Sequence, residues 1–421
     1  MALFVPNPDV PAVDFIDDMG RTLAERYANA EDSLIREVAD RAYRDLELQA
    51  KLARATAERR AGLRYALDRN RALADLAGHR AQALRDLQYL AVQTAGRLRD
   101  EGLAQDLISV ASQQGEAEAA ARLGMARRLP QTTTLTGTST QATAQVALSL
   151  QSRLEVLNQR ITRYPQDAYQ RVVAMTSPNV LLGTQTSLLA QRGAVQQFLS
   201  EGITGFVDKA DRNWRIGTYA EMAGRTSVAR AFNDAGVWRM QQSGVNLVTI
   251  VGSNAACAKC APWIGKILST DGSTGAVVLP HSTKDAEVTV TIEGTLDGAR
   301  NAGWGHPNDA CRCVAYLPGL SIPQADFKYD PKAEWGRTRQ REIEVDIRAA
   351  RRKLATAGDP VTAQRAKAKI RAKQADLRDH LEATGRKRNS AREQLHFADG
   401  GYTPKPAGIP PRPPSLSIVG R

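Results

Sequence analysis

Cysteines, aromatic residues and long apolar runs are all scarce in this chain, and each scarcity excludes a class of structure. Four cysteines in 421 residues exclude a disulfide-stapled scaffold, which packs them densely into a short chain. Aromatic residues make up only 5%, too few for the large core of a compact enzyme of this length. No apolar run approaches the roughly 20 residues that cross a bilayer, so no membrane association is expected. The start, Met1-Ala2-Leu3-Phe4-Val5-Pro6, lacks the basic segment that opens a secretory signal. A protein made in a reducing cytoplasm is therefore expected. Proline is missing from Asp14 to Arg128, so nothing there forbids continuous helix.

What is present favours helices. Apolar residues are 42%, and Leu34 and Val38, Leu63 and Leu67, Leu73 and Leu76, and Leu84 and Leu87 recur at helical spacing. They form a narrow stripe with charged flanks, which predicts a hairpin, a coiled coil or a self-association surface. Gly62, Gly78, Gly96 and Gly102 are candidate breaks, because glycine costs a helix interior about 1 kcal/mol relative to alanine. Val245–Val251, Gly275–Leu279 and Ala286–Ile292 are β-branched runs bounded by turn residues, which predicts a small sheet. The fold class expected is mainly α and elongated, with long N-terminal helices, a small α+β module over about 245–318 and basic C-terminal helices. In order, the chain divides into an extended arm (1–13), a long helical or coiled-coil region (14–129), a Thr-rich linker (130–145) and a helical region (146–243) interrupted near Pro165 and Pro178. The small α+β module with its Cys and His residues (244–320), a basic helical region (321–395) and a Pro-rich tail (396–421) follow. The module is expected to stay folded when residues 14–128 are removed.

The formal net charge is +12, and the 331–395 region carries about twice as many Lys and Arg as Asp and Glu. Its residues Arg351, Arg352, Lys353, Lys367, Lys369, Arg371 and Lys373 are candidates for phosphate contacts. Such contacts hold nucleic acid without reading its sequence. The competing reading is a solvated or partner-packed helix face in which Glu342, Glu344 and Asp346 pair with basic neighbours.

All four cysteines fall in two clusters, Cys257-Ala258-Lys259-Cys260 and Cys311-Arg312-Cys313, with Gly305-His306-Pro307 just ahead of the second. Zinc takes four sulfur or nitrogen donors in a tetrahedron, and Cys-x-x-Cys on a tight turn presents two thiolates to one side of an ion. Residues two apart on a strand share a face, so Cys311 and Cys313 complete an all-thiolate set, with His306 as an alternative fourth ligand. A disulfide or free thiols, or a redox or nucleophilic cysteine, remain open readings of the same residues. His281 reads as an ordinary loop histidine. A hydrolytic zinc centre would need an open position and a base, for which Glu293 and Asp297 are the available carboxylates. No phosphate-cradling glycine loop and no nucleophile elbow is present.

Several of these motifs occur together in one order: Tyr219-Ala-Glu-Met222-Ala-Gly-Arg225-Thr226, Gly244-Val-Asn-Leu-Val248, Cys260-Ala-Pro-Trp263-Ile-Gly265-Lys266, and Gly303-Trp-Gly-His306-Pro-Asn308 with Cys311-Arg-Cys313. Gln340–Arg348 and Ile370–Arg378 continue the series. Over roughly 210–395 this resembles the tailed-phage minor capsid protein 2 family and, more distantly, head-morphogenesis proteins of the phage Mu F type. Family members read His-Pro-Asn-Cys-Arg where Asp309 and Ala310 here separate Asn308 from Cys311. The resemblance implies a non-enzymatic, low-copy component of the virion, in the phage head near the portal vertex, made in the host cytoplasm. It also implies partners among the portal protein and other head proteins. The alternative from a different class is a zinc-dependent nucleic-acid-binding protein or nuclease-like enzyme outside the virion. Trp214, Trp238, Trp263 and Trp304 lie in the region of resemblance and are expected to pack the 210–318 core or to form a partner-binding spot.

Overall fold

The computed structural model describes residues 6–395 apart from 8, 58–62, 101, 125–139, 182–190, 193–194, 197, 199–203, 208–212, 310 and 325. The helices are α1 (Ala12–Ala57), α2 (Leu63–Asp100), α3 (Leu103–Leu123), α4 (Thr140–Leu181), α5 (Ile216–Gln242), α6 (Leu296–Asn301), α7 (Pro331–Ala355) and α8 (Pro360–Thr384). The strands are β1 (Thr204–Val207), β2 (Asn213–Arg215), β3 (Leu247–Val251), β4 (Ile267–Ser269), β5 (Gly275–Pro280), β6 (Glu287–Ile292), β7 (Gly294–Thr295) and β8 (Arg312–Ala315). The chain is mainly α, with a small strand module near its middle.

The proline-free stretch forms helices whose apolar faces close on one another. Leu34, Val38 and Leu87 are buried with Leu150, Leu157 and Ile161 of α4 and Val228 and Phe232 of α5 in one core. These stripe residues are therefore covered within the chain, as in the hairpin reading among the three expected (hairpin, coiled coil or self-association surface). Leu67 and Leu73 are more than half exposed and do not belong to that core. Of the candidate breaks, Gly102 separates α2 from α3 in a left-handed conformation (φ 58°). Gly78 and Gly96 lie inside α2, and Gly62 and the Thr-rich stretch 130–139 lie outside the described residues, as do 1–5 and the tail 396–421. α4 begins at Thr140 and runs through Pro165 and Pro178 without interruption. Pro165 is buried, and the neighbouring Ile161, Ala168 and Tyr169 pack into the same core. Packing on that face offsets the one backbone hydrogen bond that proline removes. Thr204–Val207 and Asn213–Arg215, expected to be helical, instead form the antiparallel pair β1–β2.

Helix α5 sits between α1 and α3 at very close range. An added Cβ at Gly115 of α3 would lie 2.1 Å from the carbonyl oxygen of Phe232, and one at Gly224 would lie 2.9 Å from Leu23 of α1. Only glycine permits that approach. At its C-terminus Gly244 adopts φ 75°, Gly244 N–H donates to Gln241 O, and Val245 N–H donates to Met240 O at 2.9 Å. Both bonds, with the buried Val245 and Met240 side chains, form a Schellman stop. It turns the chain directly into β3.

β3 pairs antiparallel with both β4 and β8, and β4 pairs parallel with β7, giving the order β7-β4-β3-β8. β5 and β6 form a separate hairpin. The core beneath β3 and β8 contains Val248, Ile250, Cys260, Trp304, Cys311 and Cys313, and also Ala119 and Leu123 of α3. Arg312 of β8 pairs with Glu118 of α3 at 2.9 Å. The module thus shares its core with the N-terminal region, so removing residues 14–128 would uncover the part of it that Ala119 and Leu123 close. Trp304 is buried there, Trp263 packs against its edge, and Trp238 is half-buried.

The C-terminal hairpin starts each helix with aspartate and proline. Asp330 accepts from Lys332 N–H ahead of α7, and Asp359 accepts from Val361 and Thr362 N–H ahead of α8. These are N-caps with proline at the first helical position. Ile343, Ile347 and Leu377 form the hairpin's own core. Arg352 of α7 anchors it to α1, with Nε 2.6 Å from Asp32 Oδ1.

The glycine approach has a direct test. Gly115→Ala should destabilise the protein by about 1–3 kcal/mol through overpacking, whereas Gly78→Ala, with open space around it, should stabilise by about 0.5–1 kcal/mol. Urea unfolding followed by far-UV circular dichroism distinguishes the two signs; equal effects would contradict the packing described.

Candidate metal centre

Three segments of the module converge on one point. After β3, Cys260 N–H and Ala261 N–H both donate to Cys257 O, at 3.1 and 3.0 Å, closing a tight turn that carries Cys257 and Cys260. After α6, the sequence His306-Pro307-Asn308-Asp309 forms a turn in which Asp309 N–H donates to His306 O at 3.0 Å. Proline second and Asn308 third, with φ 66°, suit a type II turn. Asn308 N–H donates to Thr226 Oγ1 of α5 at 3.2 Å, which fastens the loop to the central helix. Cys311 closes the loop just before β8.

The ligand atoms of Cys257, Cys260 and His306 lie within 4.8 Å of one another, as do those of Cys260, Asp309 and Cys311. Cys260 belongs to both sets. Cys257 Sγ is 2.9 Å from His306 Nε2, and His306 Nδ1 faces Pro307 O at 2.8 Å. A nitrogen facing a carbonyl must carry hydrogen, so Nε2 is the nitrogen turned to the sulfurs. Asp309 uses both oxygens on backbone: Oδ1 accepts from Cys311 N–H at 2.8 Å and Oδ2 from Gly305 N–H at 3.0 Å.

The electrostatics follow from these contacts. Hydrogen bonding to Cys260 pushes His306 up to about 10 against the opposing effect of burial. Burial raises the Cys257 thiol, but the Cys260 and Lys259 amides and His306 outweigh it and hold that thiol below its ordinary value. The adjacent Cys311 sulfur and burial push Cys260 well up, and burial takes Cys313 to about 12. A cation among these donors would offset the penalty on the crowded thiolates.

Four of the five metal-ligand candidates named from sequence, Cys257, Cys260, His306 and Cys311, are brought together. Cys313 is not in either set: it pairs with Ile250 in the β3–β8 ladder, and its N–H donates to Asn233 Oδ1 at 2.9 Å. β8 begins only at Arg312, so the shared-face argument for residues 311 and 313 does not apply. Asp309 was not singled out as a site residue, although an aspartate two residues before Cys311 is the spacing at which a carboxylate binds a backbone N–H. Glu293 binds Lys266 and Ile267 N–H, Asp297 sits in the first turn of α6, and neither is among the converging donors. A cavity of about 230 Å³ adjoins the cluster, lined in part by Thr226, Asn233, Trp304, His306 and Cys311. His281 is buried, its Nδ1 accepting from Thr283 N–H.

The basic candidates separate into two groups. Arg352 is buried between Asp32 and Glu31 and cannot reach a phosphate. Lys373 is held by Asp346 and Asp376 at 3.3 and 3.0 Å. Arg351 and Lys353 are half-buried, while Lys367, Lys369 and Arg371 are exposed along α8. Arg365, not among the candidates, is exposed one turn before Lys369.

Residues 16–382 match the phage minor capsid protein 2 family. The chain belongs to this family. The match covers most of the chain and extends far ahead of the 210–395 region in which the resemblance was legible. Membership places the protein in the virion with a structural role in the phage head. No curated protein and no solved structure matches. Among the described residues no helix is long and apolar enough to cross a membrane.

Proposed function

We propose that this minor capsid protein is a low-copy, non-enzymatic component of the portal vertex, docking on the portal protein and other head proteins and touching packaged DNA through α8. We further propose a zinc ion as the cofactor of the Cys/His cluster. The observation that carries the head role is the family match along residues 16–382. In support of DNA contact, Arg365, Lys367, Lys369 and Arg371 form two i,i+4 pairs on exposed helix surface, and the acidic residues of α8 lie beyond them at Asp376, Asp379 and Glu382. Such a surface neutralises phosphates without distinguishing bases. A nuclease-like enzyme outside the virion has less support, since Glu293 and Asp297, its candidate bases, lie outside the donor cluster.

Coexpression of the full chain with the portal protein of the same genome should give a complex that survives gel filtration, and the protein should be retained in purified particles after DNA release. A protein missing from particles would overturn the proposal. For DNA contact, the combined variant Lys367→Ala, Lys369→Ala, Arg371→Ala should weaken duplex binding whatever the sequence and lower the slope of log affinity against log salt by about 2–3. Lys373→Ala should leave both nearly unchanged. Equal losses in the two variants, or binding insensitive to salt, would contradict this assignment of the surface.

A further inference from the structure

We propose that the cluster is a closed structural zinc centre with four donors, Cys257, Cys260, Cys311 and His306, in which Asp309 positions the loop and Cys313 takes no part. The proposal rests on the zinc reading above and specifies which side chains make the centre and what it holds together. Three sulfurs and one imidazole are a donor set that zinc takes in tetrahedral structural sites. With zinc–sulfur bonds of about 2.3 Å, neighbouring sulfurs of such a tetrahedron stand about 3.8 Å apart. That spacing lies inside the 4.8 Å within which each set of donors already falls. Cys260, shared by both sets, is the corner that joins them.

The fourth ligand is decided by what its competitors already bind. Asp309 would have to release Gly305 and Cys311 N–H to face an ion, leaving backbone donors of the loop unpaired. Cys311 has its N–H held by that same carboxylate and its sulfur beside Cys260, so Asp309 acts by aiming Cys311. His306 is oriented in the manner of a metal-bound histidine: Pro307 O holds Nδ1–H, so Nε2, 2.9 Å from Cys257 Sγ, is the nitrogen that would give its lone pair to an ion in exchange for its proton. Gly252 allows the crowding, since a Cβ there would stand 3.1 Å from Cys311 Sγ and 2.3 Å from Ile264 Cδ1. Four protein donors leave no open position, which marks a structural ion. The ion would tie the turn after β3 and the start of β8 to the 305–309 loop, and through Asn308 and Thr226 to α5.

The test uses the full chain, purified reduced and without added metal. Elemental analysis should find about one zinc per chain, and cobalt substitution should give the intense visible bands of a tetrahedral thiolate site. Cys257→Ser, Cys260→Ser, Cys311→Ser and His306→Ala should each lower zinc affinity at least tenfold. His306→Cys should restore a full complement, separating ligand loss from misfolding. Cys313→Ala should retain zinc and the cobalt spectrum, and Asp309→Asn should retain the stoichiometry with affinity lowered about 10–100-fold. Removing zinc by chelation should speed hydrogen exchange over 252–264 and 302–311 and leave α7 and α8 unchanged. Absence of zinc from the reduced protein would overturn the metal reading itself. Zinc that survives Cys311→Ser but is lost in Cys313→Ala would preserve that reading and overturn this ligand set. Neither result bears on the portal and particle experiment, which tests the head role independently.

Discussion

The close backbone approach of α5 to its neighbours is the constraint on which the rest of the structure depends. Gly115, Gly224 and Gly20 bring α1, α3 and α5 together at distances no other residue allows; a Cβ at Gly20 would stand 2.1 Å from Arg225 Cγ. Bringing backbones this close compensates for a chain with few aromatics, because small side chains gain dispersion energy only when the helices touch along their length. Polar contacts then fix the register. Arg225 of α5 reaches Asp17 of α1 at 2.6 Å, Gly217 N–H donates to Glu31, and Tyr27 donates to Asn158 of α4 at 3.0 Å.

The same helix builds the candidate metal centre. Thr226 holds the His306 loop, Asn233 holds Cys313 in its strand, and Asp234 pairs with Arg300 at the end of α6. On its other side Glu221 receives Arg392 at 2.9 Å and Arg341 at 3.7 Å, and Glu31 and Asp32 of α1 receive Arg352. The bundle, the cysteine module and the C-terminal hairpin are therefore all referred to α5 and its immediate partner α1. In this head protein, one shared helix gives rigidity without disulfides or a large aromatic core.

Much of this was legible in the chain. The basic helical region expected over 321–395 is two helices, and the aspartate-proline pairs at 330–331 and 359–360 that start them, which the sequence reading did not use, serve a helix N-terminus directly. The β-branched runs locate β3, β5 and β6. β4, β7 and β8 are two to four residues long, too short for alternation to register. Pro165 misleads because tertiary packing overrides a local rule. In the basic region, composition does not reveal which face turns inward: Arg352 is one residue from Arg351 and Lys353 yet is the one that descends to Asp32. The cysteine clusters marked the segments whose donor atoms converge, and sequence spacing added Cys313, which does not stand with them. Residues 311 and 313 share a face only if both are in the strand, and the Asp309 turn keeps Cys311 out of it.

The most direct measurement is pulsed hydrogen exchange with mass spectrometry across a denaturant series, comparing peptides from α3 and α5 with peptides from β3 and β8. If one helix serves both cores, all four should become exchangeable at the same denaturant concentration, as a single cooperative unit does. Opening of β3 and β8 at clearly lower denaturant, with α3 and α5 still protected, would contradict the account.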